Sequence, residues 1–294
     1  MTQNKLTVQS QHTSSGFTLV ELVMVIVITG IIGSMVSVFL KWPVQQYMDV
    51  ARRAELTGIA DTALYRLAAD VSAAVPNSIR QQNQLSFEFV PVKDGGRYLF
   101  DSTGAASPVG DPLTFDGIDK TFDVIGPANI VVGDSILIGS TSSSGNFPYD
   151  TGASGVLRSV SAVAGANVTL ASGLSYAYPP YRYTVVEASQ KAVTYSCEGV
   201  GLLDGKGLGS LVRYWGYGFN KVQVLPAALP LNTQHAILAD KVSGCVINYN
   251  TIQSPDGSPS RLGVLEVTLT LTSAREGKPE SITLYQEIHV VNAL

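Results

Sequence analysis

Histidine, tryptophan, cysteine and methionine are scarce in this 294-residue chain, at 3, 2, 2 and 4 copies. Three histidines leave little material for a His-based catalytic or metal constellation, and none lies within short ligand spacing of a cysteine. Basic residues are few as well. The 19 Lys and Arg stand against 23 Asp and Glu, a net charge of -4 that excludes nucleic-acid binding through bulk positive charge. No repeat of fixed period is visible, which sets aside solenoids and propellers. Charge of either sign is missing altogether from residues 22–40.

That uncharged stretch is the first positive feature. As a helix, residues 17–40 would be roughly 36 Å long, enough to cross a hydrocarbon core of about 30 Å. Glu21 is its anomaly. An ionised side chain at mid-membrane costs about 2.5 to 3.5 kcal/mol, whereas each Leu, Ile, Val or Phe returns roughly 0.3 to 0.6, so the apolar residues between Leu22 and Leu40 outweigh it. Glu21 also falls near the helix start, where the helix dipole favours negative charge. A carboxylate so placed points to function and calls for a cationic partner. A secretory signal peptide is too short an explanation for this run, which ends in Lys41-Trp42-Pro43. A plain single-pass anchor accounts for the length but for neither Glu21 nor the Gly16-Phe17 junction.

The string GFTLVELVMVIVITG, beginning at Gly16, resembles the cleavage and methylation region of type IV prepilins and the related secretion pseudopilins. The resemblance implies that residues 1–16 are a leader removed by prepilin peptidase after Gly16. It also implies that Phe17 becomes the N-methylated amino terminus and that Glu21 is the acid used in assembly, its partner being the Phe17 amine of a neighbouring subunit. The proline common inside this family's helix falls a few residues later here, at Pro43. The charge count alone does not orient the chain, since Lys5 lies on one side and Lys41, Arg52 and Arg53 on the other. By resemblance the leader is cytoplasmic and the remainder periplasmic, with Trp42 and Tyr47 at the outer interface. Gly30 with Ser34 and Gly33 with Ser37 would allow close helix approach in a bundle, or are simply small residues tolerated in lipid.

Residues 17–41 are therefore expected to span the inner membrane, residues 42–75 to continue as an amphipathic helix, and residues 76–294 to form a head. The helical continuation rests on Leu56, Ile59, Ala60, Ala63, Leu64, Leu67, Val71 and Val75 at three- and four-residue steps, with Pro76-Asn77 as its end. From about residue 84 the pattern alternates. Strands are expected at 86–90, 130–138, 156–163, 183–187 and 192–197, separated by Gly, Pro, Asn and Ser clusters. Leu265, Val267, Leu269 and Leu271 alternate with Glu266, Thr268, Thr270 and Thr272. A turn through Arg275-Glu276-Gly277-Lys278 then leads into a last strand, which predicts a terminal hairpin. The fold class is α+β: a long N-terminal helix packed on a mainly antiparallel head, in one large lobe or two smaller ones. In an oxidising periplasm Cys197 and Cys245 should pair.

Other candidates carry less. Gly133-Asp134-Ser135-Ile136 is similar to the nucleophile block of GDSL-type hydrolases, but His289 lacks the acid expected three residues before it, where Gln286 stands. A Gly-Asp turn is the simpler reading. Gly201 to Gly207 is one residue short of a phosphate loop and has no Ser or Thr after Lys206. Asp111, Asp116, Asp119 and Asp123 could offer oxygens to calcium, though not at EF-hand spacing, and solvated turn acids fit them better. His235 precedes an expected strand and His289 sits in one, each without a partner motif. Tyr176, Tyr178, Tyr181 and Tyr183, interrupted by Pro179-Pro180, suit core packing better than a binding patch for sugar or a neighbouring subunit. No metal, cofactor or catalytic residue is expected, and the chain is read as no enzyme.

The head segments around Tyr195-Ser196-Cys197, Arg213-Tyr214-Trp215-Gly216, Asp240-Lys241-Val242-Ser243-Gly244-Cys245 and Gln286-Glu287-Ile288-His289 resemble the MshO-like minor pilins of mannose-sensitive haemagglutinin (MSHA) pili. Such heads are in turn similar to the J-type minor pseudopilins of type II secretion. These resemblances imply a low-copy subunit at the start or tip of a pilus, drawn from the inner membrane by the assembly platform into contact with major and minor pilins. They also admit a role in cell adhesion.

Overall fold

A computed structural model of the chain describes residues 16–100, 110–139, 147–151, 156–175, 181–251, 262–275 and 277–291. Residues 1–15, which hold most of the expected leader, Tyr176, Tyr178, Pro179, Pro180, Glu276 and the side chains of Lys41 and Trp42 lie outside the described residues. The molecule divides into two compact units, Met1–Ala51 and Arg52–Leu294.

Helix α1 (Leu19–Ser72) belongs to both and carries Pro43 in its interior. Pro43 has no N–H to offer the Phe39 carbonyl, so one rung of the helical ladder is missing there. Before it, the side chains of residues 16–39 are exposed, and the segment is long and apolar enough to cross a membrane. Within the second unit, Leu56, Ala60, Ala63, Leu64, Leu67 and Val71 are all buried on one face. The helix ends at Ser72 rather than at Val75, because the following peptide groups change partners. Val75 N–H donates to the Val90 carbonyl and Val92 N–H to the Ala73 carbonyl, so the chain leaves the helix straight into strand-like pairing.

Fifteen strands follow among the described residues. They are β1 (Arg80–Asn83), β2 (Ser86–Phe89), β3 (Asp94–Tyr98), β4 (Thr121–Ile125) and β5 (Ser135–Leu137). Next come β6 (Leu157–Ala164), β7 (Asn167–Leu170), β8 (Arg182–Val186), β9 (Val193–Glu198) and the short pair β10 (Leu202–Leu203) and β11 (Lys206–Gly207). The last four are β12 (Gly209–Trp215), β13 (Gln234–Thr251), β14 (Leu262–Arg275) and β15 (Lys278–Val291). All their pairings are antiparallel.

Seven of them form one sheet in the order β1-β2-β9-β12-β13-β14-β15. Its inner face packs on α1: Phe87, Tyr195, Leu211, Ile247, Leu265, Val267, Leu269 and Leu271 are fully excluded from solvent and share a core with the helix face. Each such side chain contributes about 1.5 to 3 kcal/mol by leaving water. The expected alternation of β14 holds until Thr272, which is buried because Ser243 and Ser281 both reach its hydroxyl. The terminal hairpin pairs in a single unbroken register from Leu262 with Val291 to Arg275 with Lys278.

Six others close into a barrel, β3-β4-β7-β6-β5-β8, inserted in sequence between β2 and β9, and β10 and β11 pair only with each other. The head thus has two hydrophobic cores, the second formed inside the barrel by Tyr98, Phe122, Ile136, Val168, Tyr183, Val185 and neighbours. A third cluster, including Val75, Val90, Tyr149, Val186 and Ala192, joins barrel to sheet. The expected strand at 130–138 is mostly not one. Only Ser135–Leu137 pairs, because Val132 and Gly133 form a turn with Gly133 at φ +95°. β3, β4 and β7 were not expected from the alternation. Asp94-Gly95-Gly96 in β3 reads locally as a turn and becomes a strand only because β8 pairs with it.

Candidate functional site

The N-terminal motif opens helix α1 with a capping box. Thr18 precedes the first helical residue and its Oγ1 accepts the Glu21 N–H at 3.3 Å. The Glu21 carboxylate folds back, Oε2 accepting the Thr18 N–H at 3.5 Å and the Thr18 hydroxyl at 3.4 Å. Two otherwise unsatisfied amides of the first turn are thereby paired within the chain, in a segment whose side chains are all exposed. The pattern T-x-x-E is legible in the sequence, and it explains locally why the helix starts where it does.

The same logic extends along the apolar segment. Thr29 Oγ1 donates to the Val25 carbonyl at 2.6 Å and Ser34 Oγ to the Ile31 carbonyl at 2.7 Å, so these hydroxyls are satisfied without water. Nothing lies within 4 Å of the position a Cβ would take on Gly30 or Gly33, which leaves their small surfaces open to a neighbour. Glu21 thus stands as the one carboxylate at the head of an apolar rod, with only Oε2 engaged.

In the head, Cys197 on β9 and Cys245 on β13 form a disulfide with a Cα–Cα separation of 6.4 Å. The two strands are not neighbours, since β12 lies between them. Cys245 sits beyond Val242, the last β13 position that pairs with β12, where the sheet curls over the β1–β2 turn. There Cys197 N–H donates to the Leu85 carbonyl and Ile247 N–H to the Gln84 carbonyl.

Two polar networks lock the head. Asp70, near the end of α1, accepts the Tyr195 hydroxyl at 3.0 Å and Arg213 Nε at 2.8 Å, with Arg66 at 3.1 Å one helical turn away. Burial, and then the neighbouring Asp70 carboxylate, push the Tyr195 hydroxyl up. On the outer face of the sheet, Arg80 Nε donates to the buried Glu88 at 2.8 Å while its guanidinium lies 3.5 Å over the Tyr149 ring. Tyr217 donates to the other Glu88 oxygen at 3.2 Å. Burial raises the Glu88 carboxyl above its ordinary value, against the pull of Arg80.

The remaining candidates are structural. Asp134 is buried and accepts Lys93 Nζ at 2.7 Å, Val131 N–H at 3.0 Å and Ala188 N–H at 3.1 Å, which pins both crossings between sheet and barrel. Ser135 is buried in β5, far from the form of an exposed nucleophile. His289 is exposed, 3.3 Å from Glu287. His235 lies in β13 rather than ahead of it, its ring 5.8 Å from that of Tyr214. The four aspartates do not converge. Asp116 caps its own turn by accepting Ile118 and Asp119 N–H groups, and Asp119 accepts the Thr114 amide and hydroxyl. Asp111 and Asp123 share the Asn167 side-chain amide at 3.0 and 2.9 Å. The Asp119 and Ile118 amides hold Asp116 below its ordinary value, and Asn167 and the Asp111 amide do the same for Asp123. Among the described residues no group of three or more His, Cys, Asp or Glu is placed to hold a metal. Gly201 to Gly207 carries the short β10–β11 hairpin. Tyr181 stacks on Phe100 at 4.0 Å, and Tyr183 is buried in the barrel.

Residues 12–37 match the family described as the prokaryotic N-terminal methylation motif. No curated protein and no solved structure matches the chain. The chain therefore carries a prepilin-type methylation signal, a candidate membrane-spanning helix behind it and an antiparallel, disulfide-bonded head. That combination supports a type IV pilin-like or pseudopilin subunit, and the motif implies processing by prepilin peptidase and assembly with other pilins.

Proposed function

We propose that this chain is a minor pilin-like structural subunit that initiates or tips an MSHA-type type IV pilus, in the manner of MshO-like proteins. Cleavage between Gly16 and Phe17 frees an amine that is methylated, and helix α1 anchors the subunit in the inner membrane with its head in the periplasm. The assembly platform then moves it into the pilus, where α1 packs among the helices of other pilins. The supporting observation is the position of Glu21, a single carboxylate in the first turn with one oxygen still unengaged. In lipid, such a carboxylate gains far more from an adjacent ammonium than it would in water. The freed Phe17 amine of a neighbouring subunit supplies that charge.

The head supports a low-copy position. A seven-stranded sheet with a six-stranded barrel inserted in it is bulky for a lattice repeated at every position. A J-type pseudopilin would use its N-terminal segment in the same way, and complementation separates the two: the gene restores either piliation or protein secretion to the corresponding deletion strain. Mass spectrometry of the mature chain should find N-methylated Phe17 as the first residue. Glu21→Ala should be processed normally yet fail to enter pili, and normal incorporation of that variant as the sole copy would defeat the assignment.

A further inference from the structure

The barrel surface carries a pair of cations that no described residue neutralises. Arg97 on β3 and Arg182 on β8 are directly opposite each other in the antiparallel register, and both are exposed. Like charges so placed repel and destabilise a sheet, which ordinarily pairs a cation with an acid or a neutral side chain. Neither guanidinium has an acidic partner among the described residues. Among the described residues the carboxylate nearest in sequence, Asp94, is already committed to the Gly95 and Asn129 amides at 2.8 and 2.6 Å.

The pair borders a recess of about 420 Å³ lined by Gly95, Gly96, Arg97, Arg182, Tyr183 and Thr184. Its floor is main chain. β4 pairs with β3 only at Arg97 and Tyr98, so no strand pairs with Gly95 and Gly96 on the side away from β8. A Cβ on Gly95 would lie in tight contact 3.2 Å from the Tyr183 carbonyl oxygen, and one on Gly96 would strike the hydroxyl of the buried Tyr183 at 2.7 Å on the barrel-core side. The outward side chains are Arg97, Arg182 and Thr184, with no aliphatic wall.

We propose that this recess binds a carboxylate-bearing saccharide unit of the uronic acid class. Two guanidinium groups rooted on facing positions of adjacent strands can fork onto one carboxylate, the geometry arginine supplies and lysine does not. The Thr184 hydroxyl and the main-chain groups on the unpaired edge of β3 suit the hydroxyls of a sugar ring. The site belongs to the head and does not depend on the assembly role proposed above.

The test is equilibrium binding of trigalacturonate to the purified full-length chain in detergent micelles, at low and at high salt. The wild-type chain should bind it, more weakly at high salt, and should not bind neutral trigalactose. Arg97→Gln and Arg182→Gln should each weaken binding about tenfold or more, consistent with loss of a charged hydrogen-bond donor, and the double variant should abolish it. Because the substitutions relieve repulsion, the melting temperature of each variant should be unchanged or raised. Should the double variant misfold, Arg97→Lys with Arg182→Lys keeps the charge and should still bind more weakly than wild type. No binding by the wild-type chain, equal binding of trigalactose, or undiminished binding by the folded double variant would overturn the proposal. Binding of an acidic peptide but not of trigalacturonate would overturn the saccharide assignment.

Discussion

Asp70 shows how much of the head can rest on one side chain. Its carboxylate joins the last turns of α1 to β9 through Tyr195 and to β12 through Arg213, whose side chain is only 9% exposed. Arg213 keeps Gln190 Oε1 at 2.7 Å and lies 5.0 Å from the Trp215 ring, but neither neutralises its charge. Asp70→Ala should therefore destabilise the head by about 3 kcal/mol, the cost of stranding a buried cation. Denaturation followed by tryptophan fluorescence would measure it, and a loss well under 1 kcal/mol would show that the contact is incidental. Glu21 makes the opposite use of the same chemistry. Its carboxylate is satisfied only by its own helix terminus, which leaves it available to a cation from another chain.

Among the elements, β13 depends on a close approach that only glycine permits. Lys241 adopts φ +59°, a left-handed conformation that breaks the regular register of β13 with β12. The main chain displaced there passes directly over β11, so a Cβ added to Gly207 would overlap the Lys241 carbonyl oxygen. Neither partner is a flexible side-chain tip, and relief requires backbone movement in both strands. Gly207→Ala should cost roughly 1 to 3 kcal/mol, the usual range for overpacking. A thermal melt indistinguishable from wild type would mean that β11 is free to lift away. The end of α1 follows a similar rule, because the helix yields three residues early to the pull of residues 90–92.

For the head as a whole, the disulfide is the main covalent constraint. Cys197 and Cys245 are 48 residues apart in sequence, and closing a loop of that size stabilises by roughly 4 kcal/mol in the chain-entropy treatment. Replacing both by serine should lower stability by about that amount, while leaving processing of the N-terminal motif unchanged because the motif belongs to the other compact unit. Chemical denaturation of the oxidised and double-serine chains, alongside mass spectrometry of their N-termini, would check both halves. A change in processing would tie head folding to export.

The helix, its buried stripe, the terminal hairpin and the methylation motif were all readable in advance, because each rests on short-range periodicity or on residues adjacent in sequence. Leu265 to Leu271 face one way whatever lies beyond them, and Thr18 and Glu21 meet because a helical turn brings them together. The barrel was not readable. β3 and β4 are short, glycine-rich or weakly alternating, and only partners from distant segments make them strands. The same holds for Asp134, whose local sequence is similar to a hydrolase motif and whose burial against Lys93 and Ala188 makes it a clasp. Arg97 and Arg182 stand 85 positions apart and oppose one another only through the β3–β8 register. Local pattern sets which way a side chain points along its own element, whereas the neighbour it meets depends on chain closure over long loops, which no short stretch of residues encodes.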